Sequence, residues 1–171
     1  MTANESALHA TTSDNWHGIT SVEVVVAALV LGVLAAITLP RFLNMGQDAR
    51  LAKINAIYGS IQVASQVTYA QSLARGNSGS NGSIATQSGT VSTVYGYPDI
   101  GANGIVFAAG MDPAEAPQPN ADGLMITRSG STLSIAPIGV ASAAKCRVSY
   151  TPPSLPTGTP TIVLAAEQSG C

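Results

Sequence analysis

Charge is what this sequence most lacks: Asp, Glu, Lys and Arg together make up 9% of its 171 residues, with seven basic against nine acidic side chains. The seven cations are spread along the chain, which argues against a nucleic-acid partner, because neutralising phosphates takes clustered Lys and Arg. Low charge combined with 46% hydrophobic residues also excludes an extended disordered chain. Histidine occurs only at His9 and His17, and tryptophan only at Trp16. Beyond Gly18 the commonest general base and metal ligand is therefore missing. Serine is abundant, yet no Gly-x-Ser-x-Gly elbow occurs and no acid or base partner for a serine is evident. The chain reads as no enzyme, and no cofactor is expected.

What the sequence does have is a long apolar run from Ile19 to Leu39 with one carboxylate, Glu23, near its start. At about 1.5 Å rise per residue, a helix of that length covers roughly 30 Å, one hydrocarbon thickness. An ionised group placed in hydrocarbon costs about 2.5 to 3.5 kcal/mol on insertion scales, so an acid there points to function and calls for a partner. The run is too long for the apolar region of an ordinary secretory signal, and no small-residue cleavage site follows it before Pro40 and Arg41. A simpler reading is a signal anchor whose acid snorkels to the interface.

Helical periodicity continues past the apolar run. Phe42, Met45, Ala49, Ala52, Ala56, Ile57, Ile61, Ala64 and Leu73 recur at three- and four-residue intervals, which predicts one face of an amphipathic helix. Asn44, Gln47, Asp48, Arg50, Lys53, Asn55, Gln62 and Gln66 are assigned to the other face. Gly76 suits a left-handed C-cap, ending one element that runs from about Ile19 to Arg75. The segment GNSGSNGS, residues 76–83, reads as a surface loop. Strands are expected over Thr90–Tyr95, Ile105–Phe107, a hairpin of Leu124–Arg128 with Ser131–Ala136, Cys146–Thr151 with Cys146, Val148 and Tyr150 on one face, and Thr161–Ala165. The expected fold class is α+β: a long N-terminal helix, transmembrane in its first half and amphipathic in its second, packed against a small antiparallel sheet head.

The two cysteines are Cys146 and Cys171. In an oxidising compartment they would close a loop containing PPSLPTGTP, worth about 3 kcal/mol on the chain-entropy model. The alternative is two unpaired buried thiols. A terminal cysteine is hard to bury without a bond, which favours the bridge.

The run Gly18, Ile19, Thr20, Glu23, Gly32 and Pro40, followed by the amphipathic continuation, resembles the N-terminal region of type IV pilins and of the related type II secretion pseudopilins. PRFLNMGQDAR, VYGYPD and the closing cysteine pair with CRVSYT resemble the mannose-sensitive haemagglutinin type of pilin. The resemblance implies that Gly18 is the last residue of a leader cut by a prepilin peptidase and that Ile19 becomes an N-methylated N-terminus. It implies an assembly role for Thr20 and Glu23, the acid neutralising the amine of Ile19 on a neighbouring subunit. Desolvation of both groups offsets much of that attraction, so the pair sets register and docking more than net stability. Gly32 and Pro40 would bracket the part of the helix that loosens in assembled filaments, as a weak helix former and a residue lacking a backbone donor.

Four segments follow from the same resemblance: a cleaved leader over 1–18, a transmembrane and filament-core helix over 19–39, its amphipathic half over 40–75, and a globular head with a C-terminal disulfide loop over 76–171. The expected product is a subunit held in the inner membrane as precursor and polymerised by the pilus assembly machinery into an extracellular filament for adhesion, biofilm formation or motility. It would be a homopolymer through its N-terminal helices. A secretion pseudopilin and a membrane-anchored module binding DNA or a surface ligand are the alternatives. Three departures from the family pattern stand out: Ile19 where Phe is usual, Ser21 where an apolar residue is usual, and a leader without Lys or Arg. Orientation in the membrane therefore rests on the resemblance and not on charge asymmetry. Cleavage after Gly18 would remove both histidines and Trp16, leaving seven acidic and seven basic side chains.

Lesser signals have plainer readings beside the functional ones. Asp112, Glu115 and Asp122, in DPAEAPQPNAD, could offer oxygens to Ca²⁺ as pseudopilins do in a comparable loop, but their spacing fits no EF-hand and a solvated loop accounts for them. Tyr58 and Tyr69 suggest an electron path, with helix-to-sheet packing as the better account. Ser78, Ser80 and Ser83 would accept sugars, or simply make a flexible loop. Arg128, Lys145 and Arg147 would touch DNA, though they are few for that purpose.

Overall fold

The computed structural model describes residues 20–171, with the side chains of residues 37–44 outside the described set. Among these residues the order is α1 (Ser21–Ala74), β1 (Gly82–Thr86), β2 (Gly89–Val94), β3 (Tyr97–Pro98), α2 (Ile105–Ala108), β4 (Leu124–Ser129), β5 (Thr132–Pro137), β6 (Cys146–Thr151) and β7 (Thr161–Ala166). The class is α+β, one long helix with small antiparallel sheets, as expected. The chain divides into two compact units between Phe42 and Leu43.

In the first unit the described residues are helical from Ser21 onward, and every one from Thr20 to Ala36 is exposed. The expected span from Ile19 to Leu39 runs past the described side chains at both ends. Among the described residues no helix is long and apolar enough to cross a membrane.

The second unit is built around a core to which α1 contributes Ile54, Ile57, Ile61 and Ala64, and the four-stranded sheet contributes Leu124, Ile126, Leu133, Ile135, Val148 and Tyr150. Ser65, Thr68 and Ser72 continue the buried stripe toward the helix end. The inner face therefore differs from the expected one. Ile57, Ile61 and Ala64 are buried, but Met45, Ala49, Ala52, Ala56 and Leu73 are exposed. Alanines carry little apolar area and so mark a face weakly, and short hydroxyl side chains can occupy an inner stripe that a purely apolar pattern overlooks.

The C-cap is as read from the sequence. Gly76 has φ +64°, its N–H bonds to Leu73 O at 3.1 Å, and Asn77 N–H bonds to Ser72 O at 2.9 Å, the paired bonds of a Schellman motif.

Where a single sheet was expected there are two, β1-β2-β3 and β4-β5-β6-β7. The first ladder ends at Pro98, which has no N–H to offer a further strand. The 76–83 loop gives way to β1 at Gly82, earlier than expected, and β3 follows β2 through a Tyr95-Gly96 turn with φ of 49° and 85°, the positive pair that a two-residue hairpin needs. Ile105–Phe107 is a helical turn, not a strand. Ala108 N–H and Ala109 N–H bond back to Gly104 O and Ile105 O at 2.9 and 3.0 Å, and a short apolar run does not distinguish the two states by periodicity. The β4–β5 hairpin, β6 and β7 lie where the alternation placed them, within a residue or two.

Candidate functional site

Glu23 lies in the first turn of α1. Thr20 precedes the helix, and its Oγ1 accepts the Glu23 N–H at 3.3 Å. Thr20-x-x-Glu23 is the spacing of a capping box, a signal legible in the sequence that the family reading passes over. An acid here also meets the positive end of the helix dipole. Glu23 is exposed and has no ion-pair partner among the described residues. Gly18 and Ile19, the expected cleavage and methylation positions, lie outside the described residues, as does the leader. Gly32 and Pro40 both fall within the helical element α1; a Cβ at Gly32 would meet nothing within 4 Å, and the Pro40 side chain is outside the described set.

Cys146 and Cys171 form the disulfide, with Cα atoms 5.1 Å apart, and both are fully buried. The bridge opens β6 and closes on a segment held at several points. Glu167 N–H bonds to Lys145 O at 2.9 Å, Ser142 N–H bonds to Gly170 O at 3.0 Å, and the Lys145 ammonium lies 3.1 Å from Glu167. Gly170 is required for this approach, since a Cβ there would stand 2.3 Å from Lys145 Cβ. Two cations of α1 fasten it to the head: Arg50 Nε donates to Cys171 O, and Lys53 Nζ donates to Asp122 O at 2.5 Å. The periodicity assigns both to the solvated face, and their long stems let the charged ends reach main-chain oxygens.

Two carboxylates of the acidic loop, Asp112 and Asp122, accept from its own backbone. Asp112 accepts Ala114 N–H through Oδ1 at 3.1 Å and Ala121 N–H through Oδ2 at 2.9 Å, while Asp122 Oδ2 accepts Asp112 N–H at 2.8 Å. These backbone donors hold the Asp112 carboxyl below the usual carboxylate range. Asn120 joins the network, giving Nδ2 to Asp112 O at 2.7 Å and taking Leu124 N–H on Oδ1 at 2.8 Å. Glu115 pairs with Arg128. Among the described residues no group of three or more His, Cys, Asp or Glu could hold a metal ion.

Of the other sequence candidates, Tyr69 stacks on Tyr97 of β3 with ring centroids 4.2 Å apart and planes within 2°, which is helix-to-sheet packing. Tyr58 packs against the core and accepts Gln62 Nε2 at 2.8 Å. Arg128 and Lys145 are each engaged by a carboxylate. The sequence pattern places Tyr150 on the inner face of β6 and gives it no further role. Its hydroxyl donates to Pro98 O at 2.7 Å, tying the second sheet to the end of the first, and burial pushes its pKa up.

No protein-family model, curated protein or solved structure matches this chain.

Proposed function

We propose that the chain is the structural subunit of a type IV pilus-like filament, cut between Gly18 and Ile19 and polymerised through its N-terminal helix. One observation carries the reading. The described helix from Val22 to Val33 is apolar on every side and exposed, and its one carboxylate, Glu23, has no ion-pair partner among the described residues. A helix that is apolar all round needs lipid or other helices to cover it. In this reading the membrane covers it before assembly and neighbouring copies cover it afterwards, with the new amine of Ile19 as the partner of Glu23. The amphipathic part of α1 then belongs to a head locked by the disulfide.

Repeated head-to-tail contacts of that kind do not close on themselves, so they make fibres. Adhesion, biofilm formation or motility would be the filament's work.

Removing the carboxylate tests the proposal. Glu23→Ala is expected to insert in the membrane at normal levels but to yield few surface filaments. Normal yields of sheared filaments from this variant would remove the docking role of the acid.

A further inference from the structure

The two sheets have four outer edges, and the fold closes three of them. On β1 the outward carbonyls of Ser83 and Ala85 take Asn77 Nδ2 and Arg75 Nη1 at 2.6 and 2.8 Å. On β3 the outward residue is Pro98, which has no N–H and whose carbonyl takes the Tyr150 hydroxyl. The loop before β4 holds that strand: Ala116 N–H bonds to Ile126 O and Asn120 N–H to Leu124 O, both at 2.9 Å, and Asn120 Oδ1 takes Leu124 N–H. The edge at β7 has no such cover. The bond from Glu167 N–H to Lys145 O continues the β6–β7 ladder. Bonded pairs alternate in an antiparallel ladder, so Ile162, Leu164 and Ala166 turn their N–H and C=O groups away from β6. Among the described residues these outward groups have no hydrogen-bond partner. The strand also lacks the usual deterrents to pairing. Its sequence TIVLAA has no charge, Pro or Gly, and none of its residues is buried.

We infer that β7 pairs with β7 of a second copy of the chain, antiparallel about a two-fold axis at Leu164. The open edge selects its occupant, because an added strand must bring an open edge of its own and among the described strands β7 is the one left uncovered. The alternation then selects the register. Outward groups must meet outward groups, and all three outward residues are paired only when Leu164 opposes Leu164 of the second copy and Ile162 opposes its Ala166. Shifting by one bonded pair brings in Pro160, which has no N–H, at one end or Gln168, beyond the strand, at the other. In the chosen register Thr161 faces Glu167 and no like charges meet. Ile162, Leu164 and Ala166 are half-buried at the rim of the core, and the added strand covers that rim on both copies. Such a contact closes on itself and cannot extend a fibre. It links one head to one other, and it stands or falls separately from the filament reading.

Cysteines placed by this register test it in the full chain in detergent micelles. Val163 of one copy opposes Ala165 of the other in a non-bonded pair, with Cα atoms about 4.5 Å apart and within bridging range. Two copies of either residue lie two positions out of register, beyond about 7 Å. Oxidised with copper phenanthroline, Val163→Cys/Ala165→Cys is therefore expected to give at least about tenfold more disulfide-linked dimer than either single variant. Ala166→Pro removes an N–H that faces away from β6, so added to the cysteine pair it is expected to cut the dimer about tenfold while the head keeps its protease resistance. Dimer from the pair no more abundant than from a single variant overturns the inference and leaves the edge to a strand of another protein. A yield that Ala166→Pro leaves unchanged overturns it equally. If the proline variant loses its protease resistance, the cysteine comparison decides alone.

Discussion

Tyr150 shows how one side chain can join two layers. Its ring fills the core and its hydroxyl holds Pro98 O at 2.7 Å, so a buried donor and a buried acceptor satisfy each other. Replacing it with Phe leaves the carbonyl of Pro98 unpaired, which costs about 1 to 3 kcal/mol. The pH dependence has a definite sign. In the unfolded chain the phenol ionises near its ordinary value of 10.0, whereas in the folded chain burial raises that value. Above pH 10 the unfolded state has therefore released a proton that the native state keeps, so stability falls as pH rises. Urea unfolding of the wild type between pH 8 and about 11 should show that fall. In Tyr150→Phe the starting stability should be lower and the fall shallower, and identical slopes would remove Tyr150 as its source.

At the scale of elements, the C-terminal closure gives the second test. The disulfide joins residues 25 apart in sequence, and a loop of that size is worth about 3 kcal/mol on the chain-entropy model. Cys171→Ser should lower the stability of the head by about that amount and expose the segment after β6 to protease. Unchanged protease resistance would mean that the Ser142, Lys145 and Glu167 contacts hold the segment alone. This bridge was legible because a cysteine pair is a discrete signal. So were the helix stop at Gly76 and the β4–β5 hairpin, each fixed by a residue with one conformational role. The rotated inner face of α1 was not, because Ala49, Ala52 and Ala56 carry too little area to show which side is buried, while Ser65, Thr68 and Ser72 look polar in sequence. The division into two sheets was hidden as well, since it depends on where Pro98 ends a ladder. The Asp112 network depends on backbone donors that no residue pattern displays.

For the whole molecule, a head held by Arg50, Lys53 and the disulfide is continuous in sequence with a helix whose described apolar side chains, Val22 to Leu34, are exposed. The candidate site was legible as residue types, with Glu23 in an apolar run beside Gly18 and Ile19, but not as geometry, because its partner is assigned to another subunit. Intact mass and N-terminal sequencing of protein sheared from the cell surface test the proposed cleavage and assembly together. The expected product is a chain that begins at N-methylated Ile19, is recovered as filaments, and lacks the two thiol hydrogens of Cys146 and Cys171. A chain that still begins at Met1 and is found only in membranes would leave Glu23 without its amine, contradict the filament reading, and favour the membrane-anchored binding module.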